Sequence, residues 1–437
     1  MMNDIYRILD LYLENRTIVS NGSHKIVKLL SDFFPEASVE RYPSGSHKCG
    51  WEIPPNWELV SASLYNLTTN ELVLSHENSS LFIAPYSKSA CLELSKNQLA
   101  DITIMSESQG DAFYYQHRLA YDFMKRLKQV SISIPKNIFN ELRSDHKFQL
   151  LIETKTVPGH LEIFNYSLTG VSKFRVYFLS HYCHTGQVND GLAGVIVGAR
   201  VMEYLQSLSP NLNYSYSFLS FPETIGSSIF VSEHEKDIEK GMFAIFHEMP
   251  GSNSSIRVTN SRRGSTYIDR ITNFVLAEGK YDFTQVSFRN GWGNDEMVFD
   301  ASTVGIPSVS IDRAPFDYYH TSNDNLENFN PDKSEEIVEV VIKIITLIEK
   351  DFIPVANFKA PPYLSKLGVY KDWTYNRIEN EYIAKLLDIL DQGKSVFDIA
   401  ILTGVPFNFT SEFYSRLFDY GMIEKQVINP EYTRITF

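Results

Sequence analysis

Imidazole and carboxylate side chains follow several apolar runs of this 437-residue chain, and both kinds of group can bind a metal ion. A carboxylate beside such a metal can also act as a general base. A single histidine after a strand is more often an ordinary polar residue than a ligand. Five groups at successive strand ends instead favour one shared site, and these groups are His184, Asp190, Glu223, Glu248 and His320.

Short apolar runs that alternate with longer amphipathic segments predict the elements that carry these residues. This alternation is typical of an α/β fold with a mostly parallel sheet and helices on both faces. Ligands of such sheets bind at the carboxyl ends of the strands, so we expect the five side chains to converge there. The predicted strands are residues 175–179, 215–221, 242–247 and 308–311, and the predicted helices are residues 192–208, 266–276 and 331–349.

The overall charge and the cysteine content argue against several classes of function. The formal net charge is −13, which disfavours nucleic acid or an anionic membrane surface as the main partner. The three cysteines are widely spaced and provide no disulfide framework. No apolar run reaches the roughly 18 residues that a membrane span needs, and the N-terminal residues lack a signal-peptide pattern. We expect a soluble, cytoplasmic protein.

Two segments differ from the α/β pattern. Residues 57–152 contain short alternating runs separated by turn residues, which predict a small β-rich insertion. An aromatic stretch at residues 113–127 interrupts this insertion and is expected to form a loop or short helix over the cleft. Residues 368–437 carry many acidic groups, which favours protein packing over DNA binding. Their layout is that of a winged helix, with three helices and a closing strand expected at 382–390, 395–403, 410–420 and 432–437.

The order of the five residues resembles that of a known family. A histidine, an Asp-x-x-x-Gly motif at residues 190–194, a glutamate, a second acidic residue and a final histidine follow one another in the co-catalytic zinc aminopeptidases of the bacterial leucyl-aminopeptidase type. Nearly the whole chain is similar to bacterial aminopeptidase-like proteins of unknown function that often occur beside polysaccharide biosynthesis functions. The similarity lies in short motifs at residues 42–45, 51–57, 183–184, 222–227 and 319–324.

This resemblance implies an aminopeptidase-like core, an inserted β domain and a C-terminal winged helix. We expect the core to comprise residues 1–56 and 153–360. The insertion would comprise residues 57–152, and the winged helix residues 368–437.

The resemblance also implies a role for each candidate residue. Asp190 would be the carboxylate that bridges two metal positions. His184 and Glu248 would complete the ligands on one side of it, and His320 would bind on the other side. Glu223 would be the general base.

Two positions leave the metal ligands open. His181 lies three residues before His184 and is an alternative first imidazole ligand. Thr224 stands where the aminopeptidases have a second glutamate ligand, and a threonine hydroxyl binds zinc poorly. We therefore expect one Zn²⁺ ion, with two ions as the alternative. The other consequences of Thr224 are that Glu223 becomes a ligand itself or that catalysis has been lost.

Three further residues are candidates for support of the site. Asp324 and Asp295 could orient His320 and neighbouring groups, although Asn-Asp sequences are equally typical of turns. Arg289 lies in a predicted loop and could bind a carboxylate or phosphate of a substrate. A solvated or ion-paired arginine is the alternative.

Two functional hypotheses follow from these residues. In the first, the protein is a zinc-dependent hydrolase of the aminopeptidase type that attacks an amide bond of a peptide or aminoacyl-like substrate. In the second, it is a non-catalytic metal-binding or ligand-binding assembly protein, linked to polysaccharide biosynthesis. Either protein could form a homo-oligomer.

Overall fold

The computed structural model describes residues 4–116, 129–370 and 372–436, and its centre is an eight-stranded sheet. The strands are β1 (Ser38–Pro43), β2 (His160–Leu168), β3 (Arg175–His181), β4 (Ser215–Phe221), β5 (Gly241–His247), β6 (Ile256–Thr259), β7 (Phe283–Val286) and β8 (Ser308–Arg313). Their spatial order is β1-β2-β4-β3-β5-β8-β6-β7. The four strands β4, β3, β5 and β8 are parallel, and antiparallel pairings join β1 to β2, β2 to β4 and β6 to β8.

Both faces of the sheet are covered, which explains why its central strands are continuous apolar runs. Val176 and Phe178 of β3 pack into one core cluster, and Tyr177 and Leu179 pack into another on the opposite face. The main helices are α1 (Asn21–Phe33), α2 (Gly194–Leu208), α3 (Ile225–Glu233), α4 (Tyr267–Glu278) and α5 (Pro331–Lys350). Helices α1, α2, α4 and α5 contribute to the first cluster and α3 to the second. The predicted α/β architecture is confirmed.

Helix α2 approaches the sheet closely because two of its residues lack a side chain. A Cβ atom at Gly198 would lie 2.2 Å from the ring of Phe218, and one at Gly194 would lie 2.2 Å from the backbone oxygen of His247. This packing fixes the start of α2, and with it the turn before the helix, against the carboxyl ends of the parallel strands.

The β-rich segment forms a second, four-stranded antiparallel sheet with an apolar core of its own. Its strands lie in the order Glu71–Ser75, Asn56–Asn66, Lys147–Val157 and Ala90–Ser95. Residues 113–116 of the predicted aromatic stretch are extended and contact a loop of the larger sheet, whereas residues 117–127 lie outside the described part of the chain. Smaller elements here are the helices Lys96–Ile102 and Lys136–Glu141 and the paired strands Thr103–Ile104 and Ile132–Ser133.

The C-terminal segment contains the three predicted helices, Arg377–Ile389, Val396–Thr403 and Phe407–Asp419. The closing strand expected at 432–437 is wrong, because Pro430–Thr433 forms a helix. Asn429 caps this helix from its side chain and Pro430 occupies the first turn, a combination that starts helices. The strand near the end of the chain is instead Ile423–Gln426, which pairs antiparallel with Ile353–Ala356 of the preceding linker. The winged-helix assignment itself stays a prediction.

The remaining elements are short. No helix in the described ranges is long and apolar enough to cross a membrane. The short elements are the 3₁₀ helices Ile5–Leu11 and Phe288–Asn290, the hairpin of His47–Lys48 with Trp51–Glu52, the π-helical turn Asn189–Ala193, and the helices Glu235–Ile238 and Asp295–Phe299.

Candidate metal centre

Six ionisable side chains meet at the carboxyl edge of the parallel strands. The last residue of β3, the loop between β3 and α2, and the loops after β4, β5 and β8 supply them. All six are buried, and they are His181, His184, Asp190, Glu223, Glu248 and His320. Each of the five residues first singled out from the sequence therefore lies in this cluster.

The first group of donor atoms belongs to His181, Asp190 and Glu248. Nε2 of His181 lies 2.7 Å from Oε2 of Glu248 and 3.6 Å from Oδ1 of Asp190. Ligands held about 2.1 Å from a tetrahedral zinc ion lie roughly 3.4 Å apart, a value between these two distances. The Glu248 oxygen also accepts a hydrogen bond from Nδ2 of Asn294 at 2.8 Å, which orients the carboxylate.

The second group belongs to His184, Asp190 and His320. Nδ1 of His184 lies 2.7 Å from Oδ1 of Asp190, and Nε2 of His320 lies 3.2 Å from Oδ2 of the same carboxylate. Nε2 of His184 lies 3.0 Å from Oε2 of Glu223. In each of the two groups, the donor atoms of the three residues lie within 4.8 Å of one another. Asp190 is common to both groups.

The geometry pairs the histidines differently from the arrangement implied by the resemblance. Glu248 contacts His181, the alternative imidazole, and His184 faces Asp190 and Glu223. His181 and His184 both face Oδ1 of Asp190, whereas His320 faces Oδ2.

A kinked turn holds Asp190 between the two groups. Gly191 adopts a φ of 110°, which residues with a Cβ rarely adopt, and a Cβ there would lie 3.2 Å from Nδ1 of His181. The carboxylate of Asp324 accepts hydrogen bonds from the backbone N–H groups of Asn189 and Asp190 at 2.8 and 2.9 Å. Asp324 thus supports the backbone of the bridging residue, whereas the sequence had suggested that it orients His320.

Arg16 anchors the loop that carries His184. This side chain is fully buried, and its guanidinium donates hydrogen bonds to the backbone oxygens of Tyr182, His184 and Gln187. Its backbone N–H donates to the hydroxyl of Thr185 at 2.8 Å. One side chain from the N-terminal segment thereby fixes the backbone on both sides of His184.

Asp295 supports the position of Glu223. Its Oδ1 accepts hydrogen bonds from the backbone N–H of Thr224 at 2.8 Å and from the hydroxyl of Ser227 at 2.5 Å. Thr224 has a φ of 62°, which is unfavourable for a β-branched residue. The carboxylate holds this strained residue in place, and the backbone N–H of Glu223 donates to the sulfur of Cys183.

Residues 6–351 match the family model described as a domain of unknown function, DUF4910. The chain belongs to the DUF4910 family. A protein of Clostridium acetobutylicum whose name combines polysaccharide biosynthesis with an aminopeptidase-like domain is 25% identical to this DUF4910 protein over 414 residues, which are 92% of each chain.

Solved structures confirm the aminopeptidase-like fold of this DUF4910 protein. A crystal structure from C. acetobutylicum, named for a peptidase, has a TM-score of 0.82 at 23% identity and covers 97% of this chain and 96% of its own. The zinc aminopeptidase BSAP of Bacillus subtilis has a TM-score of 0.56 at 15% identity. The match covers 79% of this chain and 93% of the aminopeptidase. A peptidase M28 precursor of Shewanella amazonensis has a TM-score of 0.57 at 13% identity, and the match covers 83% of this chain and 94% of the precursor.

In the centre of the DUF4910 protein, the imidazoles and the carboxylates stabilise one another's charged forms. Burial by itself lowers the pKa of His181, but the carboxylate of Glu248 outweighs it and raises the pKa to about 10. Burial likewise opposes the charge of His184, and Asp190 raises its pKa well above the usual value. Burial would raise the pKa of Asp190, yet His184 brings it well below its usual range. The metal-free centre is therefore a set of imidazolium–carboxylate pairs, in which a cation can replace protons.

The donor set fits zinc. Imidazole nitrogens and carboxylate oxygens are the borderline and hard ligands that zinc accepts, and two groups of three such residues share Asp190. Within the described residues, Oδ2 of Asp190 is buried and accepts no well-formed hydrogen bond, although Nε2 of His320 lies 3.2 Å away. A cation between Asp190 and His320 would satisfy this oxygen fully.

An aromatic stack supports His320 from the solvent side. The ring of Tyr319 stacks on His320 with centroids 3.9 Å apart and on Trp292 at 4.7 Å. The guanidinium of Arg257 covers Trp292 at 4.6 Å and is paired with Asp312. This series of contacts limits the rotation of the His320 ring.

Arg289 is not joined to the centre in the described part of the chain. It is exposed, and its guanidinium lies over the ring of its neighbour Phe288, 5.4 Å from the centroid. Among the described residues, no hydrogen bond or ion pair joins Arg289 to the six clustered side chains. Its role in binding a substrate stays a prediction.

Sequence reasoning missed Arg16, Asn294 and Tyr115, whose ring contacts His184 and His320. Asn294 is adjacent to the predicted Asp295, so the same turn sequence pointed to it. Arg16 comes from the N-terminal segment, where no local pattern distinguishes it. Tyr115 belongs to the aromatic stretch at residues 113–127 that was expected over the cleft, although the residue itself was not singled out.

Proposed function

We propose that this DUF4910 protein is a zinc-dependent hydrolase of the aminopeptidase type that cleaves an amide bond of a peptide or aminoacyl-like substrate. The observation that carries the proposal is the pair of donor groups that share Asp190 at the carboxyl edge of the sheet. The aminopeptidase-like fold supports it, because zinc aminopeptidases have the same fold.

Two zinc ions are proposed, where the sequence favoured one. His181, Asp190 and Glu248 would hold the first ion, and His184, Asp190 and His320 would hold the second. In this arrangement His184 supplies the donor atom that the missing glutamate would have given. The chemistry that zinc supplies when bound is Lewis acidity.

Glu223 is the proposed general base. Its carboxylate lies at the edge of the second donor group, 3.0 Å from Nε2 of His184, and Asp295 fixes the backbone beside it through Thr224. Glu223 takes a proton from the attacking water and passes it to the leaving amine nitrogen, as a carboxylate near a cation can. His184, through Nε2, and Asp295, through the backbone of Thr224, keep this carboxylate in position for both transfers.

The test combines zinc content with turnover of aminoacyl p-nitroanilides. Wild-type protein is expected to bind two zinc ions and to hydrolyse at least one such substrate. Glu223→Gln should retain the zinc ions and lose about 100-fold or more in kcat, the range for loss of a general base. Glu339→Gln, at an exposed position of α5, is the control and should behave as wild type. Unchanged turnover in Glu223→Gln would remove the general-base role.

A second candidate is a non-catalytic zinc-binding assembly protein, which Thr224 favours because it departs from the peptidase pattern. The C. acetobutylicum relative named for polysaccharide biosynthesis is consistent with this role. Stoichiometric zinc binding without hydrolysis of any aminoacyl or peptidyl amide would favour this candidate over the hydrolase.

A further inference from the structure

The β-rich insertion reaches the metal centre through residues 113–116. The backbone N–H of Tyr115 donates to the backbone oxygen of His320 at 2.7 Å, and that of Ser322 donates to the oxygen of Phe113 at 2.8 Å. Tyr114 and Thr321 form the bridge between these two contacts, and the Ser322 hydroxyl accepts from the N–H of Phe113 at 3.1 Å. A short antiparallel pairing therefore joins the insertion to the loop that carries His320.

Tyr115 directs its side chain into the second donor group. Its ring is 4% exposed, and its centroid lies 5.0 Å from that of His184 and 5.1 Å from that of His320. It meets His320 edge to face at 79°, and the two imidazoles are themselves nearly perpendicular at 5.7 Å. The phenol hydroxyl lies 3.5 Å from the backbone oxygen of Cys183. Three rings thus pack against one another, two of them metal-ligand candidates.

We propose that Tyr115 is a positioning residue that fixes the ring orientations of His184 and His320, so that the inserted module is a structural part of the metal centre. This proposal rests on the proposed function, because it assigns the two histidines to one zinc ion. Groups that orient metal-binding imidazoles from outside affect metal affinity by about 10-fold to 100-fold. The ring of Tyr115 does this through its contacts with both imidazoles, in addition to the stack of Tyr319 on His320.

The contact gives an insertion 96 residues long, from 57 to 152, a role beside the metal centre. The loops after β3 and β8 carry His184 and His320, and Asp324 already joins the backbone of the two loops. Tyr115 adds a contact with both imidazole rings themselves. Without it, the loops would stay joined through their backbone, but the two rings would lose a common packing partner.

The experiment measures zinc affinity by competition with a chelator for wild type and three variants. Tyr115→Phe keeps the ring and should bind zinc within about twofold of wild type. Tyr115→Ala should bind the second zinc ion at least tenfold more weakly. Phe148→Ala removes a fully buried ring from the same module's core, away from the centre, and controls for loss of module stability. It should bind zinc within about twofold of wild type.

A second measurement uses metal-free protein, so that it is independent of the proposed function. The ¹⁵N shifts and line widths of the imidazole nitrogens report tautomer and ring mobility. Tyr115→Ala should alter the signals of His184 and His320 and leave those of His24 and His160 unchanged, and Tyr115→Phe should alter none. Wild-type zinc affinity in Tyr115→Ala, equal weakening in Phe148→Ala, or unaltered His184 and His320 signals would each overturn the proposal. Absence of zinc binding in the wild type, with altered signals in Tyr115→Ala, would refute the hydrolase and leave the positioning role standing.

Discussion

Arg16 donates a hydrogen bond to the backbone oxygen of His184, although 168 residues separate the two in the chain. The guanidinium also reaches the oxygens of Tyr182 and Gln187. Burial lowers the pKa of Arg16 to about 10, and the groups that partly offset this effect include Asp324 and Asp190. The N-terminal segment therefore contributes a buried positive charge beneath the loop that carries His184.

Arg16→Met is expected to destabilise the protein by about 3 kcal/mol or more, because three buried carbonyl oxygens lose their donor. Zinc affinity should fall as well, since the loop carrying His184 loses its anchor. Urea unfolding and chelator competition measure the two effects. Arg143→Met, at an exposed arginine paired with its near neighbour Asp145, should leave both unchanged. A wild-type unfolding midpoint for Arg16→Met would show that the loop holds its conformation without the guanidinium.

Gly191→Ala is expected to weaken zinc binding at the His181 group. Its φ of 110° is strained for alanine, at a cost of about 1–3 kcal/mol, and the new Cβ would lie 3.2 Å from Nδ1 of His181. Gly305→Ala is a matched control, since Gly305 also has a positive φ, 73°, but an added Cβ has no neighbour within 4 Å. Both variants should lose stability, and only Gly191→Ala should lose zinc affinity in isothermal titration. Equal zinc affinity in the two variants would contradict the contact with His181.

The elements of the core were predictable from the sequence because they are buried on both faces. Strand β4, Ser215–Phe221, is fully buried along its length, so its limits coincide with those of the apolar run. The closing strand expected at 432–437 does not form, because Asn429 and Pro430 start a helix over Pro430–Thr433. Local capping chemistry thus outweighed a short β-like pattern.

The site was predictable as a set of residues but not in its pairing. His181 and His184 are three residues apart, and only the turn after β3 decides which of them faces Glu248. Arg16 and Tyr115 lie outside the α/β pattern altogether, and their contacts depend on how distant segments pack. Such contacts leave no periodicity or spacing in the sequence.

His247 makes stability depend on pH. It is buried at the end of β5, and within the described residues neither ring nitrogen has a hydrogen-bond partner. Burial lowers its pKa to about 3, so between about pH 6.5 and 3 the unfolded chain takes up a proton that the folded protein does not. This histidine therefore costs the folded state stability as the pH falls, by about 2 kcal/mol at pH 5 relative to neutral pH.

His247→Leu should remove that loss. Urea unfolding of metal-free protein at pH 7.5 and pH 5 measures the loss of unfolding free energy on acidification. This loss should be about 2 kcal/mol smaller in His247→Leu than in wild type. His47→Leu, at an exposed position, should retain the wild-type difference. If both variants lose as much stability on acidification as wild type, His247 is charged in the folded protein and must have a partner.

Asp190 is common to both donor groups, so its removal should differ in kind from removal of either histidine. Asp190→Ala is expected to reduce the zinc content from two ions per chain to none, because each group would keep only two protein ligands. His181→Ala should leave the ion at His184 and His320, and His320→Ala should leave the ion at His181 and Glu248. Inductively coupled plasma mass spectrometry after dialysis against a zinc buffer measures the content, with Glu339→Gln as the control. Two zinc ions in His181→Ala would mean that Glu248 has another imidazole partner, and full zinc content in Asp190→Ala would exclude a shared carboxylate.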